Sequence, residues 1–230
     1  MDIGGLQKLT LLDYPGKVAC TVFLSGCNLR CPFCHNASLV LPARNPPPVM
    51  TDRDLLAFLE TRRGKLDGVC VTGGEPTLRL DLPGLLGEIK SLGFLVKLDT
   101  NGSRPETLKA LVRGGLTDYV AMDIKNSPEK YRETCGGIDI LDRVRESVAF
   151  LLVGGVDYEF RTTVVKPLHQ AEDLTAIGSW LRGANRYYLQ QFVDSGDLVG
   201  QGLSAYDSKE MERLLNAVLP YIPNAKLRGV

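Results

Sequence analysis

Three closely spaced cysteines constrain this chain more than any other feature of its sequence. Cys27, Cys31 and Cys34 follow a C-x3-C-x2-C pattern. Three thiolates cannot all pair with one another as disulfides, but they can surround one metal centre and leave one coordination position open, whereas a closed structural zinc site needs a fourth Cys or His. Because soft thiolates favour iron–sulfur clusters, we interpret the loop as the site of a [4Fe–4S] cluster with one open iron. A zinc knuckle or a set of redox thiols is the alternative.

The length and charge of the chain narrow its class. At 230 residues it is long enough for one substantial core, and we expect residues 1–230 to form a single α/β domain. Its 27 Lys and Arg balance its 27 Asp and Glu, which gives no electrostatic case for nucleic acid or an anionic membrane. The sequence contains no apolar run of about 20 residues and no signal-peptide pattern at its start. We therefore expect a cytoplasmic protein with reduced thiols.

Short β-rich runs alternate with helical patterns, which predicts a parallel sheet built from βα units. The predicted strands span 17–24, 68–72, 94–100, 119–124, 158–165 and 187–192. The predicted helices span 51–63, 82–92, 104–113, 141–152, 172–181 and 208–219, the first with Thr51 and Asp54 as its cap. Six units are too few for a closed eight-stranded barrel, so we predict a curved, partial (β/α)6 barrel. The polar and glycine-rich motifs follow strand C-termini, where barrels place their active sites.

Two of these strand ends carry residues with more than one interpretation. Gly73-Gly74-Glu75-Pro76 follows the second strand, and its glycines would let the backbone approach a ligand closely, although an ordinary turn has the same composition. Asp99 ends the third strand in an alternating run, where a carboxylate needs a partner. A helix cap or turn residue is the alternative for Asp99.

Charged residues also mark the fourth and fifth strands. Asp123 and Lys125 are two residues apart and therefore project to the same face. They could pair with each other or bind the polar groups of a cofactor. Arg161 lies inside a β-rich run and needs an acidic partner or an anionic ligand, for which a carboxylate is the natural bidentate match.

The cysteine spacing, with Phe33 directly before the third cysteine, resembles the signature of the radical S-adenosylmethionine enzymes. In that family the open iron is chelated by the amino and carboxylate groups of S-adenosylmethionine. Within that family the chain most resembles the glycyl-radical-enzyme activating enzymes, and the resemblance covers about residue 10 to about residue 195. It is strongest to the short activating proteins of anaerobic ribonucleoside-triphosphate reductase. The segments that carry it are Asp13-x-Pro15-Gly16, Cys27 to Asn36, Gly73-Gly74-Glu75, Asp99-Thr100-Asn101-Gly102, Asp123-Ile124-Lys125 and Arg161.

The resemblance implies a partial barrel of the radical S-adenosylmethionine type, an oxidoreductase activity and a set of residue roles. Cys27, Cys31 and Cys34 would ligate the cluster. The residues implied in cofactor binding are Phe33, Cys34, His35, Gly73, Gly74, Glu75, Asp99, Asp123, Ile124, Lys125 and Arg161, with Glu75 also holding the turn. A flavodoxin- or ferredoxin-type reductant would reduce the cluster, and a 5′-deoxyadenosyl radical would abstract hydrogen from a glycine Cα of a partner glycyl radical enzyme. No side chain need act as an acid or base.

The chain departs from the resemblance at one point. In the pyruvate formate-lyase activase a histidine follows strand six, whereas Val193 stands at that place here and Gln191 is the candidate substitute. His169 is expected to be a loop residue rather than a ligand of the cofactor site. The lone Cys135 has no assigned role. The alternatives are a radical enzyme acting on a small molecule, like 7-carboxy-7-deazaguanine synthase, a pyruvate formate-lyase-type activase, and a non-catalytic zinc- or cluster-binding protein.

Overall fold

The computed structural model describes residues 3–41, 44 and 47–230. Within these residues eight strands form a single sheet, in which each strand is hydrogen-bonded to the next one along the chain. The strands are β1 Ile3–Thr10, β2 Ala19–Leu24, β3 Gly68–Gly73, β4 Leu95–Thr100, β5 Tyr119–Asp123, β6 Asp157–Val164, β7 Tyr187–Gln191 and β8 Lys226–Arg228.

Helices connect the parallel strands of the sheet. They are α1 Ala37–Val40, α2 Asp52–Glu60, α3 Leu82–Ser91, α4 Pro105–Arg113, α5 Tyr131–Thr134, α6 Leu141–Val153, α7 Ala171–Trp180 and α8 Ser208–Val218, with a 3-10 turn over Pro76–Leu78. The predicted cap of α2 is confirmed, because Thr51 and Asp54 form a reciprocal capping box. In the described part of the chain no helix is both long enough and apolar enough to cross a bilayer.

The sheet is an open, partial barrel. Strands β2 to β7 pair in parallel, which confirms the six predicted strands, and β1 adds an antiparallel edge next to β2 while β8 extends the other edge. No pairing between described residues joins β1 to β8. The sequence patterns missed both edge strands. The segment IGGLQKLT of β1 contains two glycines and no regular alternation, and β8 has only three residues.

The alternation of side chains along each strand separates the apolar core from a polar interior. Val69 and Val71 of β3 join the core that packs against the helices, whereas Cys70 and Thr72 of the same strand line a cavity on the opposite face. The same division holds for the other parallel strands. Polar groups at alternate strand positions therefore point together into the barrel interior.

An ion pair inside the barrel anchors the short strand β8. The Arg228 guanidinium donates to both oxygens of the fully buried Glu159 carboxylate on β6, at 2.8 and 2.9 Å. The Tyr119 hydroxyl donates to the same carboxylate at 3.0 Å. Burial alone would raise the pKa of Glu159, but the hydrogen bonds and charge of Arg228 hold that pKa below its usual range. The last strand is thus held to the sheet by charge as well as by backbone pairing.

Replacing Arg228 with Met should lower the free energy of unfolding by about 2–3 kcal/mol, because it leaves the Glu159 carboxylate buried with only a tyrosine partner. We expect a value below the full range for buried pairs because the Arg228 side chain is 34% exposed. Urea denaturation measures the loss. The matched control is Arg145→Met, which breaks the exposed pair with Asp142 and should leave stability close to wild type. Equal stability of both variants would contradict the anchoring role.

Candidate active site

A cavity of about 300 Å³ lies at the carboxyl ends of the parallel strands, between these ends and the cysteine loop. This is the edge of the sheet at which barrel enzymes place their active sites. Eleven of the residues predicted for cluster or cofactor binding line it: Cys27, Cys31, Phe33, Cys34, His35, Gly73, Gly74, Asp99, Asp123, Lys125 and Arg161. The structure thus brings together residues from segments more than a hundred positions apart.

Glu75 is the first of two predicted cofactor-binding residues that do not line this cavity. Its buried carboxylate accepts hydrogen bonds from the Thr100 hydroxyl at 2.8 Å, from the Thr77 N–H at 3.0 Å and from the Asn101 N–H at 2.6 Å. All of these partners are protein groups. The carboxylate of Glu75 therefore holds the turn to the end of β4 and does not face the cavity.

Ile124 is the second. Its side chain is fully buried in the apolar core, so it cannot reach a ligand in the cavity. Its N–H donates to the Arg161 carbonyl at 2.7 Å, and its carbonyl accepts from the Thr162 hydroxyl at 2.8 Å. Ile124 therefore fixes the end of β5 against β6, and this places its neighbours Asp123 and Lys125 on the cavity wall.

The glycine turn after β3 requires glycine because it packs directly on the strand that leads into the cysteine loop. Gly73 has a φ of 116°, and an added Cβ would lie 2.4 Å from the Leu24 carbonyl oxygen. At Gly74 an added Cβ would lie 2.0 Å from the Gly26 carbonyl oxygen. The Gly74 and Glu75 N–H groups donate to these two carbonyls, at 2.8 Å each. These two N–H groups bind the protein itself, so they are not available to a ligand.

The three thiols of the cysteine loop differ in exposure but share a tendency to stay protonated. Cys31 is buried, and Cys27 and Cys34 are partly buried. Burial raises the pKa of Cys27 to about 12 and also raises the pKa of Cys34. Hydrogen bonding to the neighbouring thiol of Cys135, together with burial, raises the pKa of Cys31. Metal binding at this loop must therefore displace protons, which soft, thiophilic metals do readily.

The arrangement of donors suits a cluster. Among residues 3–41, 44 and 47–230, no three His, Cys, Asp or Glu side chains converge closely enough to share one metal ion. Each thiolate of a four-iron cluster binds its own iron, so the three cysteines can serve a cluster without converging on one point. The loop that carries them ends in Phe33, Cys34 and His35 on the cavity wall.

A segment after β7 holds the cysteine loop from outside. The Val199 N–H donates to the Cys34 carbonyl at 3.3 Å, and the Gly200 N–H donates to the Pro32 carbonyl at 2.8 Å. Asp197 accepts from the Ala37 N–H at 3.2 Å through its carbonyl, and its carboxylate accepts from the Ser38 N–H at 2.9 Å. These bonds fix the loop between the sheet and the 197–200 segment without using its thiols.

Opposite the thiols, five charged side chains form an alternating row across the ends of three strands. From β4 to β5 the order is Lys97, Asp99, Arg161, Asp123 and Lys125, with cations and carboxylates in turn. Lys97 contacts one oxygen of Asp99, and the Arg161 Nη1 contacts the other at 3.1 Å. The Arg161 Nε lies 2.9 Å from Asp123, whose second oxygen lies 3.1 Å from the Lys125 Nζ. Three cations thus share two carboxylates.

Four members of the row, Asp99, Arg161, Asp123 and Lys125, stay ionised although they are partly removed from water. Burial alone would raise the pKa of Asp99 and Asp123, but the Arg161 guanidinium holds both values below their usual range. Burial would likewise lower the pKa of Lys125 and Arg161, but the carboxylates hold both values above their usual range. Asp99 is therefore a member of an ion row and not a helix cap. Asp123 and Lys125 both pair with each other and face the cavity.

Comparisons with known proteins agree with this geometry. The Radical SAM superfamily model matches residues 21–176 of the chain. A protein of Methanocaldococcus jannaschii named "Putative glycyl-radical enzyme activating enzyme" is 32% identical over 99% of this chain and 96% of its own length. The 7-carboxy-7-deazaguanine synthase of Thermococcus kodakarensis is 28% identical over 73% of this chain and 72% of its own length. Streptococcus suis SuiB bound to S-adenosylmethionine shares the fold, with a TM-score of 0.69 and 18% identity over 91% of this chain and 52% of SuiB.

The chain belongs to the radical SAM superfamily. It is an enzyme that uses a [4Fe–4S] cluster and S-adenosylmethionine. The residues of the site fit both groups. Three thiols on one loop suit a cluster with an open iron, and a row with one more cation than carboxylates suits a ligand that carries a carboxylate. In this radical SAM site Lys97 is a residue that the sequence analysis missed, although it lies two residues before Asp99 and so on the same face.

His169 supports the radical SAM site from behind. Its Nε2 donates to the Lys125 carbonyl at 2.9 Å and its Nδ1 accepts from the Val165 N–H at 3.2 Å, which defines a neutral imidazole. Its ring packs edge-on against Phe33, with 6.1 Å between the ring centroids. Burial lowers the pKa of His169. His169 is therefore a buried structural residue rather than a ligand.

The residue expected to contact the cofactor after β7, the sixth of the predicted strands, needs a correction. Val193 is exposed and lies outside the cavity wall, and the Gln191 amide donates to the Tyr206 carbonyl at 2.8 Å instead of facing the cavity. Gln190 is the glutamine that lines the cavity. Neighbouring residues of a strand point to opposite faces, so an error of one residue in the expected position selects the wrong glutamine.

Replacing Arg161 with Met should destabilise the protein by about 3 kcal/mol, at the low end of the range for buried pairs, because two partly buried carboxylates lose the cation that they share. Arg161→Lys should cost less, since a lysine keeps the charge but reaches only one carboxylate at a time. Urea denaturation of the cluster-free protein measures both losses. A loss of less than about 1 kcal/mol for the Met variant would contradict the central place of Arg161 in the row.

Protonation of His169 should destabilise the fold in mildly acidic solution. Because its folded pKa lies below the unfolded value of about 6.5, the unfolded chain binds more protons between the two values. The contribution of His169 is therefore present above about pH 6.5 and is lost as the pH falls toward the folded pKa. Urea unfolding at about pH 7.5 and about pH 5.5 should show a smaller difference for His169→Gln than for wild type. Equal differences would contradict this assignment.

Proposed function

We propose that this radical SAM enzyme activates a glycyl radical enzyme by abstracting hydrogen from the Cα of one glycine in that partner. The partner we propose is anaerobic ribonucleoside-triphosphate reductase. The observation that carries the proposal is the meeting of three cysteine thiols, an ion row and an open cavity at one edge of the sheet. Similarity over nearly the full length to a protein named as an activating enzyme supports the choice of reaction.

In this proposal each part of the cavity wall has one task. Cys27, Cys31 and Cys34 would hold the cluster, and Arg161 with Lys125 would bind the carboxylate of S-adenosylmethionine. Phe33 and the adjoining residues of the cysteine loop would pack on its adenine. When bound, the cluster and S-adenosylmethionine supply the electron transfer and the radical chemistry. The protein positions them and excludes water, so no side chain has to act as an acid or base.

The charges of the cavity favour a peptide over an anionic metabolite as the second substrate. The lining cations Lys125 and Arg161 are the two groups proposed to bind the carboxylate of S-adenosylmethionine. Among the described lining residues, no further Lys or Arg is present to bind a triphosphate or a carboxylated base. The remaining wall offers the acidic side chain of Asp13 and uncharged groups such as Thr72, Thr163 and Gln190. Peptide backbone makes hydrogen bonds with groups of this kind.

The remaining parts of the proposal concern the setting of the reaction. We propose that residues 1–230 form one catalytic core domain that works in the cytoplasm. A flavodoxin- or ferredoxin-type protein would supply the electron. Reduced thiols at the cysteine loop are a condition for cluster assembly, and a reducing compartment provides them.

The proposal is tested by mixing the reconstituted, reduced enzyme with S-adenosylmethionine and a purified anaerobic ribonucleotide reductase. We expect a glycyl-radical doublet in the electron paramagnetic resonance spectrum, together with 5′-deoxyadenosine. Cys34→Ala should abolish the doublet because it removes one cluster ligand. The matched control Cys20→Ala removes a buried thiol of the core outside the cavity and should keep the signal.

The result also distinguishes the competing functions. A glycyl-radical doublet on pyruvate formate-lyase but not on the reductase would identify the enzyme as a pyruvate formate-lyase-type activase. Formation of 5′-deoxyadenosine that requires a small molecule and leaves both partners without a radical would support the small-molecule enzyme. The sequence relationship to a 7-carboxy-7-deazaguanine synthase makes that the second candidate.

A further inference from the structure

Asn101 joins the cysteine loop to the rest of the site, and we infer that its side-chain amide tunes the cluster by donating a hydrogen bond to the sulfur of Cys27. The amide nitrogen lies 3.9 Å from that sulfur, within the range for N–H···S contacts. Asn101 is thereby assigned as a positioning residue of the cluster. The inference rests on the cluster at the three cysteines and not on the identity of the protein partner.

The surrounding hydrogen bonds fix the orientation of the Asn101 amide. Its nitrogen also donates to the Asn28 side-chain oxygen at 3.1 Å, and its own side-chain oxygen accepts from the Ser103 N–H at 2.9 Å. Because the oxygen is held by a donor, the other end of the amide must be the NH2 group. That group therefore faces Cys27. The Asn28 amide in turn donates to the Ser103 hydroxyl at 3.0 Å, which closes the arrangement.

The backbone of Asn101 is fixed as firmly as its side chain. Its N–H donates to the Glu75 carboxylate at 2.6 Å, and the adjacent Thr100 hydroxyl donates to the same carboxylate at 2.8 Å. Glu75 is fully buried, and its own turn is bonded to the base of the cysteine loop through Gly26. The donor is thus held by the ends of β3 and β4 at once. Such preorganisation is needed if a weak contact to sulfur is to persist.

A donor at a ligating sulfur changes the energy of the cluster itself. Reduction adds negative charge that is partly carried by the thiolates, and hydrogen bonds to these sulfurs stabilise the reduced state. Cys27 already accepts one such bond from the Leu29 N–H at 3.4 Å. The Asn101 amide adds a second donor from a different loop. We therefore expect it to raise the reduction potential and to make the cluster easier to reduce.

The test is a reductive titration of the reconstituted cluster, followed by electron paramagnetic resonance and without S-adenosylmethionine. Asn101→Leu removes the donor without adding charge. We expect the ratio of reduced to oxidised cluster at a fixed potential to fall about tenfold, which corresponds to about 59 mV for a one-electron couple. The matched control is Ser103→Ala, which removes the hydroxyl that Asn28 contacts but no donor to sulfur, and it should leave the ratio within about twofold.

An unchanged potential in Asn101→Leu, or an equal shift in Ser103→Ala, would overturn the inference. Asn101→Ala decides the case if the Leu variant does not take up a cluster, because it removes the donor without adding charge or bulk, and it should shift the potential in the same direction. Failure of both Asn101 variants to bind a cluster, with Ser103→Ala intact, would also contradict the tuning role and assign Asn101 to assembly. The response of the wild-type cluster to S-adenosylmethionine reports on the proposed function separately.

Discussion

The guanidinium of Arg161 is the group on which the rest of the site depends. It lies on β6, and it binds carboxylates from β4 and β5 at the same time. Each carboxylate then holds a lysine from its own strand. Buried charges of one sign would repel and neutralise, whereas this alternation keeps Arg161, Lys125 and the two carboxylates ionised although they are partly removed from water. A polar cavity can therefore exist inside a barrel whose outer face is an apolar core.

Glu75 provides a second constraint, behind the cavity wall, where it joins the ends of β3 and β4. A carboxylate without exposure to solvent is costly unless its oxygens accept hydrogen bonds, and Glu75 accepts them from the 3-10 turn and from the end of β4. The glycines before it allow the same turn to pack on Gly26 at the start of the cysteine loop. Glu75 and the glycine turn before it thus tie the end of β4 to the base of the cysteine loop.

The sequence predicted the parts of the site that follow from spacing along one segment. The three cysteines lie on one loop, and the two-residue interval between Asp123 and Lys125 places both on one face of a strand. The parallel order of β2 to β7 followed from the alternation of strands and helices. The close packing of the Gly73-Gly74 turn on Gly26 could not be predicted, because it depends on a contact between the end of β3 and the cysteine loop. The choice between Gln190 and Gln191 depends on a register of one residue, which a pattern alone does not fix.

The edge strands show a second limit of sequence patterns. The strand β1 is stabilised by its antiparallel pairing with β2 and not by its own propensity, and β8 is held by the ion pair of Arg228 with Glu159. Lys97 is a related case, since its neighbours Val96 and Leu98 give the segment the appearance of a core strand. The sequence indicates that Asp99 needs a partner, but it does not say which one. The three-dimensional arrangement decides which cations pair with this carboxylate.

The most direct test of this account is electron–nuclear double resonance on the anaerobically reconstituted, reduced protein with S-adenosylmethionine labelled at its amino nitrogen. The account predicts a cluster signal that changes when the compound is added and a coupling between the labelled nitrogen and the cluster, because three thiolates leave one iron open beside a cavity with a carboxylate-binding wall. A cluster whose signal is indifferent to S-adenosylmethionine, or zinc bound in place of the cluster, would contradict the account.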